Sequence, residues 1–370
     1  MPTDANSKNM LIVVHGMGEH TQQSITTEVK EILTAKYGNN IEDEIDIRVI
    51  AYNKVFNDWR VRAKNDIDGA INALEGRVHF TRVKDTLKNE LDPSADNFFL
   101  THWLDVVLYM STLGVRVQLE VARQLTQILQ EFNNGGNLNT RKIVLMAHSL
   151  GTTVAHDTLH KMWHGGFEDD RYNNLSRLPF AFTAFYQLAN TSRLLKTGLD
   201  PTSRHTAVRP APSGMMERMY NVYHKFDPVA RAKQFKINDL NRWLPEQDWP
   251  DEVYFPIELE GVHQVNVHSL THYLSDPQVY CNLLNEIVDS YNFPADFGQL
   301  VEQHKEDMVD AKLDEFKAEF EARVEAKNLE LIESLDQITR YWKLISEEQT
   351  RAEARWEKLT AAFKAYFEQA

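Results

Sequence analysis

The stretch RKIVLMAHSLGTTVAHDTL, from Arg141 to Leu159, predicts a buried strand, a sharp turn and then a helix. Its apolar run, Ile143 to Met146, has the length of a central strand, and Ser149 stands at the turn. The small residues Ala147 and Gly151 lie two positions before and after the serine. A nucleophilic serine on a tight strand-to-helix turn needs small residues there, because larger side chains would collide with the adjoining strand and helix. The alternative is an ordinary helix start capped by serine.

The composition is that of a globular protein and restricts the partners that it would bind. Of the 370 residues, 42% are hydrophobic and 25% are charged, and the formal net charge is −14. This charge argues against nucleic acid as a partner and against general attraction to anionic lipid. The sequence shows neither a secretory signal nor a stretch long and apolar enough to span a membrane, which leaves only transient, local membrane contact. We therefore expect a cytoplasmic protein, with the single cysteine, Cys281, packed in the core.

A second chemical landmark lies near the amino terminus. The apolar run Met10 to Val14 predicts a central strand, and a tight loop that begins with His15 and Gly16 follows it. In serine hydrolases, a loop of this kind supplies one of two backbone N–H groups that stabilise the oxyanion. By position these donors are Met17 and Leu150, the latter directly after the serine. The alternative is an ordinary turn between a strand and a helix.

Predicted strands and helices alternate along most of the chain, which favours an α/β fold with a mostly parallel central sheet flanked by helices. The further predicted strands are Ile45 to Tyr52, Phe180 to Leu188, Met219 to His224 and a strand within Asp251 to Val267. The predicted helices are Thr21 to Tyr37, Val115 to Phe132, the segment that follows Ser149, and Gln278 to Tyr291. Residues 53–97 are interpreted as a charged, partly helical insertion, and Phe98 to Met110 as a buried helix, with a lipid-docking lid as the alternative.

Two later positions complete a candidate catalytic triad. Asp227 follows a predicted strand, where the acid of a triad is expected, although an aspartate before proline is also common in surface turns. His268 is our candidate for the base because it follows the next predicted strand. His272 is the alternative, since it lies only four residues further on, whereas His263 is interpreted as part of the strand. The base removes the serine proton, and the acid orients the base.

The order serine, aspartate, histidine along the chain is that of the α/β-hydrolase fold. No metal or other cofactor is expected. His156, His160 and His164 are spaced four residues apart, but three ligands on one straight helix do not reach a single ion, so we interpret them as a polar or packed helix face.

The chain resembles the α/β-hydrolase superfamily over Met10 to Tyr291, and most of all the intracellular DDHD-type phospholipases and their bacterial lipase-like relatives. Three stretches carry this likeness: DVVLYMS (105–111), AHSLGTTVAHD (147–157) and YNVYHKFDPVA (220–230). The resemblance implies hydrolysis of acyl lipids or related esters, with Ser149 as nucleophile and Asp227 as acid.

The composition changes after residue 293, which predicts a hydrolase domain over residues 1–293 and a helical arm over residues 294–370. Glycine and proline are absent after Gly298, and a heptad stripe of apolar residues begins at Val324. An unbroken helix of this size would be on the order of 100 Å long. We expect the arm to form a coiled coil between chains and the protein to be a homo-oligomer. The alternative is an arm that folds back over its own domain.

Two hypotheses about function follow from the sequence. The first is a serine hydrolase that cleaves a small-molecule or lipid carboxylic ester (an esterase or lipase) through an acyl-enzyme. The second is a catalytically silent hydrolase fold that acts as a scaffold through its coiled-coil arm. The acyl chain, head group and leaving group of the substrate cannot be read from the sequence.

Overall fold

The computed structural model describes most of the chain up to residue 306. The described residues are 8–16, 21–59, 61–62, 109, 113–134, 138, 140–173, 175–177, 181–192, 206–211, 214–225, 227, 230, 235, 252–263 and 267–306. Most of the expected insertion (53–97) and of the Phe98 to Met110 segment, the oxyanion candidate Met17, and the arm beyond residue 306 lie outside them.

In the part of the chain that the structure describes, six strands form one all-parallel sheet. They are β1 (Asn9–Val14), β2 (Ile45–Ile50), β3 (Ile143–His148), β4 (Phe182–Leu188), β5 (Met216–His224) and β6 (Tyr254–Leu259), in the order β2-β1-β3-β4-β5-β6. Each neighbouring pair runs parallel. The predicted α/β class with a parallel sheet is therefore confirmed.

Helices cover both faces of this sheet. They are α1 (Gln22–Tyr37), α2 (Leu113–Asn134), α3 (Leu150–His164), α4 (Leu270–Ser275), α5 (Pro277–Ile287) and α6 (Phe297–Glu306). The α2 and α3 helices bury their apolar sides in one core with alternate residues of β1 and β3. The α1, α4 and α5 helices pack in a second core against the other face. A parallel sheet requires such two-sided cover, because both of its faces are apolar.

Several predicted boundaries were wrong. The last strand ends at Leu259 and not near Val267, so His263 lies in the loop beyond β6 and not in a strand. Two helices follow where one was predicted, because the six-residue helix α4 precedes α5. Residues 53–59, in contrast, are helical, in agreement with the partly helical insertion that we expected there.

Candidate active site

The candidate residues gather where parallel strands end. The chain moves from β1 to β2 in one direction and then crosses to β3 on the other side of β1, so the strand order reverses between β1 and β3. Ligands of open α/β sheets bind beside such a reversal, at the carboxyl ends of the strands. His15 and Gly16 follow β1 and Ser149 follows β3, which places both predicted landmarks at this position.

Ser149 has a strained backbone. Its φ of 55° and ψ of −131° depart from the extended conformation that is usual for the residue before a helix. Positive φ is uncommon for residues other than glycine, and such strain is concentrated at functional sites. The Ser149 side chain makes no capping hydrogen bond to α3. It therefore does not act as an ordinary helix cap, the alternative that the sequence had left open.

Two glycines allow the turn at Ser149 to approach the end of β1. A Cβ atom on Gly151 would lie 2.5 Å from the carbonyl oxygen of Val14 and 2.6 Å from that of His15. One on Gly16 would lie 2.8 Å from Ser149 Cβ. Ala147, the other small residue of the turn, is fully buried in the core shared by α2 and α3. The elbow therefore requires glycine at position 151 and accepts a methyl group at position 147.

His268 lies between the serine and the aspartate. The distance from its Nε2 to Ser149 Oγ is 2.7 Å, and the distance from its Nδ1 to Asp227 Oδ2 is also 2.7 Å. Ser149, Asp227 and His268 are all buried, with Asp227 fully so. The fold thus brings His268 within hydrogen-bond distance of Ser149, 119 residues away in sequence, and of Asp227, 41 residues away. A histidine bonded in this way can remove a proton from the serine while the carboxylate orients its ring.

Asp227 is held as an anion. Burial favours the neutral carboxyl, but the electrostatic influence of the His268 ring and the hydrogen bonds from His268 and Tyr273 outweigh it, so the pKa of Asp227 lies below its ordinary value. Tyr273 donates its hydroxyl to Asp227 Oδ2 at 2.7 Å, and the Ala230 N–H donates to Oδ1 at 3.2 Å. Both carboxylate oxygens therefore accept hydrogen bonds despite full burial.

The alternative base, His272, faces a different environment. Its ring packs against those of His224 and His263, with centroid distances of 4.9 and 6.2 Å. Burial, together with the neighbouring histidines, lowers the pKa of His272 to about 3. Of the two candidates, the structure brings only His268 within hydrogen-bond distance of Ser149.

A further histidine, His148, forms a hydrogen bond with the backbone of the candidate base. His148 directly precedes Ser149, and its Nε2 lies 2.7 Å from the carbonyl oxygen of His268. Because a carbonyl only accepts, Nε2 is the donor. The ring of His148 lies 5.2 Å from that of His268, measured between centroids. The residue beside the nucleophile therefore also fixes the backbone of the base.

Buried threonines surround the turn. The hydroxyls of Thr152 and Thr191 both donate to the carbonyl oxygen of Ser149, at 2.7 and 2.9 Å. The Thr191 N–H donates to Thr152 Oγ1 at 2.9 Å. These bonds tie the strained residue to α3 and to the loop after β4. Sequence reasoning missed His148, Thr191 and Tyr273, since partners distant along the chain leave no pattern in one sequence.

Leu150, one of the two predicted oxyanion donors, lies among the described residues. Leu150 is the first residue of α3, where backbone N–H groups lack acceptors within the helix and the helix dipole favours negative charge. The Leu150 N–H is therefore suited to stabilising an oxyanion beside Ser149. Met17 lies outside the described residues, and its assignment remains a prediction.

The histidines of α3 have roles in packing and hydrogen bonding. His156 is buried, and its Nε2 lies 2.9 Å from Thr206 Oγ1, while the rings of His160 and His164 are 4.6 Å apart. In the described part of the chain, no group of three or more histidine, cysteine or acidic residues is arranged to hold a metal ion. No helix among the described residues has the length and apolar character required to cross a membrane.

An open groove of about 990 Å³ lies at the other end of the sheet. Residues that precede or begin β3, β4 and β5 line it, among them Arg141, Thr183 and Arg218. It lies at the amino ends of the strands, whereas Ser149 and Asp227 follow carboxyl ends. We therefore assign it no part in the chemistry of the candidate triad.

No protein-family model matches the chain, and no curated protein shows significant sequence similarity to it. The interpretation of the site therefore depends on the geometry described above.

Proposed function

We propose that the chain is a serine hydrolase with an α/β-hydrolase fold, which cleaves carboxylic esters through the triad Ser149, His268 and Asp227. The observation that carries this proposal is the chain of two 2.7 Å contacts from Ser149 Oγ through His268 to Asp227 Oδ2. The strained conformation of Ser149 supports it independently. The strand order and the sequence order of the triad support the fold.

The geometry supports a two-step reaction. His268 Nε2 takes the proton of Ser149 as Oγ attacks the ester carbonyl carbon, and the Leu150 N–H donates to the resulting oxyanion. The intermediate then expels the alcohol, which receives the proton from His268, and leaves an acyl group on Ser149. Water attacks this acyl-enzyme with His268 again as base, releasing the carboxylic acid and restoring the serine. Asp227 stabilises the imidazolium in both steps.

We further propose that acyl lipids or related esters are the substrates, that membrane contact is transient, that the protein is cytoplasmic, and that the arm joins chains into a homo-oligomer. The first part is supported by the resemblance of residues 147–157 and 220–230 to DDHD-type phospholipases. A screen of esters with graded acyl length would test it: we expect activity to rise with chain length, and activity confined to short acyl chains would contradict it.

A fluorophosphonate probe tests the nucleophile without knowledge of the substrate. Such probes phosphonylate an activated serine, so the wild-type chain should be labelled and Ser149→Ala should not. The matched control is Ser290→Ala, which removes an exposed serine after α5 and should leave labelling unchanged. An unlabelled, folded wild type, or undiminished labelling of Ser149→Ala, would refute the proposal and favour the scaffold hypothesis.

A further inference from the structure

Tyr273 connects the two elements that carry the candidate acid and base. It lies in α4, which begins two residues after His268, and its side chain is fully buried. Its hydroxyl donates to Asp227 Oδ2 at 2.7 Å and accepts from the His224 N–H at the end of β5 at 3.0 Å. One side chain in the helix that follows the base is thus bonded to both the acid and the strand that precedes the acid.

The hydroxyl of Tyr273 is a permanent donor at this position. Burial, reinforced by the negative charge of Asp227, raises the pKa of Tyr273 well above its ordinary value. The phenol therefore stays protonated, and its oxygen accepts the hydrogen bond from the backbone N–H of His224. Its own proton is donated to the Asp227 carboxylate.

Asp227 Oδ2 is therefore shared. It accepts from both His268 Nδ1 and the Tyr273 hydroxyl, each at 2.7 Å. A second donor spreads the carboxylate charge and so weakens its attraction for an imidazolium. It also limits rotation of the carboxyl group, because the oxygen that faces His268 is fixed from a second direction.

We propose that Tyr273 is a positioning residue, which orients Asp227 towards His268 and moderates the basicity that Asp227 gives to the base. This inference depends on the proposed function for its catalytic meaning, but the hydrogen bonds on which it is based do not. It adds a fourth residue to the triad, one that is fully buried and acts through Asp227.

Tyr273→Phe removes the donor and keeps the ring. The charge on Asp227 Oδ2 then acts on His268 alone, so the base holds its proton more tightly. We expect the midpoint of the pH profile for fluorophosphonate labelling to move upward by about half a pH unit or more. At neutral pH the labelling rate should fall by about tenfold, because less of the base is deprotonated and Asp227 is less well oriented.

The matched control is Tyr186→Phe. Tyr186 is also fully buried in the core that contains Tyr273, but it stacks on Tyr220, with ring centroids 4.2 Å apart, away from the triad. Its midpoint should equal that of the wild type. A lower labelling amplitude in Tyr273→Phe without a change of midpoint would show a purely structural role and overturn the proposal.

A second variant covers the case in which Tyr273→Phe does not fold. Site-specific 3-fluorotyrosine at position 273 keeps the ring and the hydroxyl but makes the hydroxyl more acidic and a stronger donor. The midpoint should then move downward, opposite to its direction in Tyr273→Phe. Because the fluorinated residue keeps the ring and its packing, an unchanged midpoint in this variant would also overturn the proposal.

A nuclear magnetic resonance measurement separates this inference from the proposed function. The low-field proton on His268 Nδ1, identified by its loss in His268→Gln, reports its bond to Asp227 without any labelling. It should move downfield in Tyr273→Phe and stay in place in Tyr186→Phe. An unlabelled wild type would refute the hydrolase proposal alone, whereas an unmoved resonance in Tyr273→Phe would refute the role of Tyr273.

Discussion

At the scale of single residues, two histidines four positions apart have opposite surroundings. His268 precedes α4 and contacts both Ser149 and Asp227. His272 lies within α4, and its ring faces other histidines. Helical spacing does not relate the two, because the helix begins at Leu270. Four positions along the chain therefore separate a candidate base from a packed core residue.

We predict that His268→Gln lowers the rate of fluorophosphonate labelling by at least about 10³-fold, because the serine loses the group that removes its proton. His272→Gln should keep the rate within about threefold of the wild type, since His272 contacts neither Ser149 nor Asp227. Labelling reactions that are quenched at successive times and analysed by mass spectrometry give the rates of both variants. A large loss confined to His272→Gln would instead identify His272 as the base.

The candidate triad could be predicted from the sequence because its members are marked by local patterns. Small residues flank Ser149, and Asp227 and His268 each follow a predicted strand. The choice between His268 and His272 could not be made, since the short helix α4 has too few residues to show a clear period. Tyr273 left no signal, because its partner Asp227 is 46 residues away.

At the scale of secondary-structure elements, the start of α3 is packed directly on the end of β1. Gly151 makes this approach possible, since a Cβ atom there would lie 2.5 Å from the carbonyl oxygen of Val14. Backbone atoms cannot move aside as flexible side chains do. The start of α3 and the end of β1 can therefore approach this closely only because residue 151 has no side chain.

Gly151→Ala should lower the free energy of unfolding by about 1–3 kcal/mol, because the added methyl group forces α3 away from β1. The control is Gly298→Ala in α6, where an added Cβ meets nothing within 4 Å. That substitution should raise the free energy of unfolding by about 0.5–1 kcal/mol. Urea titrations measure both, and equal stability of Gly151→Ala and wild type would contradict this account of the elbow.

The sheet was predictable where strands are central. Apart from Asn9 at the start of β1 and His148 at the end of β3, the residues of these two strands are apolar, and all are buried, so their pattern is unambiguous. The edge strand β6 is only partly buried and contains Pro256, a residue tolerated at edges. Its bounds were predicted too generously, because half-buried edge strands have a weak apolar signal.

At the scale of the whole molecule, a histidine cluster behind the site makes stability depend on pH. Burial is the main reason why three histidines have a pKa below the ordinary value of 6.5. The pKa is about 4 for His224, about 3 for His272 and about 4 for His304. These groups come from β5, α4 and α6, and they are neutral in the folded chain at neutral pH.

We therefore expect the free energy of unfolding to fall as the pH drops from about 6.5 towards 4. In this window the unfolded chain binds protons that the folded chain excludes, at about 1.4 kcal/mol per pH unit for each net proton. Asp276 opposes the trend, because burial raises its pKa to about 6 from 3.8, so the folded chain binds that proton first. His304 contributes less, since its side chain remains partly exposed to solvent.

Urea titrations between pH 4 and pH 8 measure this dependence, and His272→Gln serves as the control. Without that imidazole, the unfolded chain binds one proton fewer on acidification, so the slope below pH 6.5 should be shallower. A slope equal to that of the wild type would show that His272 does not contribute to acid sensitivity.

The predicted arm begins on the surface of the domain. In α6, Phe297 and Leu300 pack against the core formed by α1, α4 and α5. The His304 ring lies 3.7 Å from that of His263, measured between centroids, and Lys305 Nζ lies 3.7 Å from a Glu260 carboxylate oxygen. Residues 297–306 are therefore attached to the loop that leads to the candidate base.

Because α6 is attached to the domain, two truncated chains can separate the effect of the arm on self-association from the effect of α6 on stability. A chain that ends at Glu306 keeps α6 and should show a smaller assembly than the full-length protein in sedimentation, with unchanged fluorophosphonate labelling. A chain that ends at Phe293 should show the same small assembly but a lower free energy of unfolding, by about 1–3 kcal/mol, because the apolar contacts of α6 are lost. If the chain ending at Glu306 assembles with the same number of chains as the full-length protein, the coiled-coil prediction is wrong; if that number is unchanged and the shortened chain is also less stable, the arm folds back over its own domain.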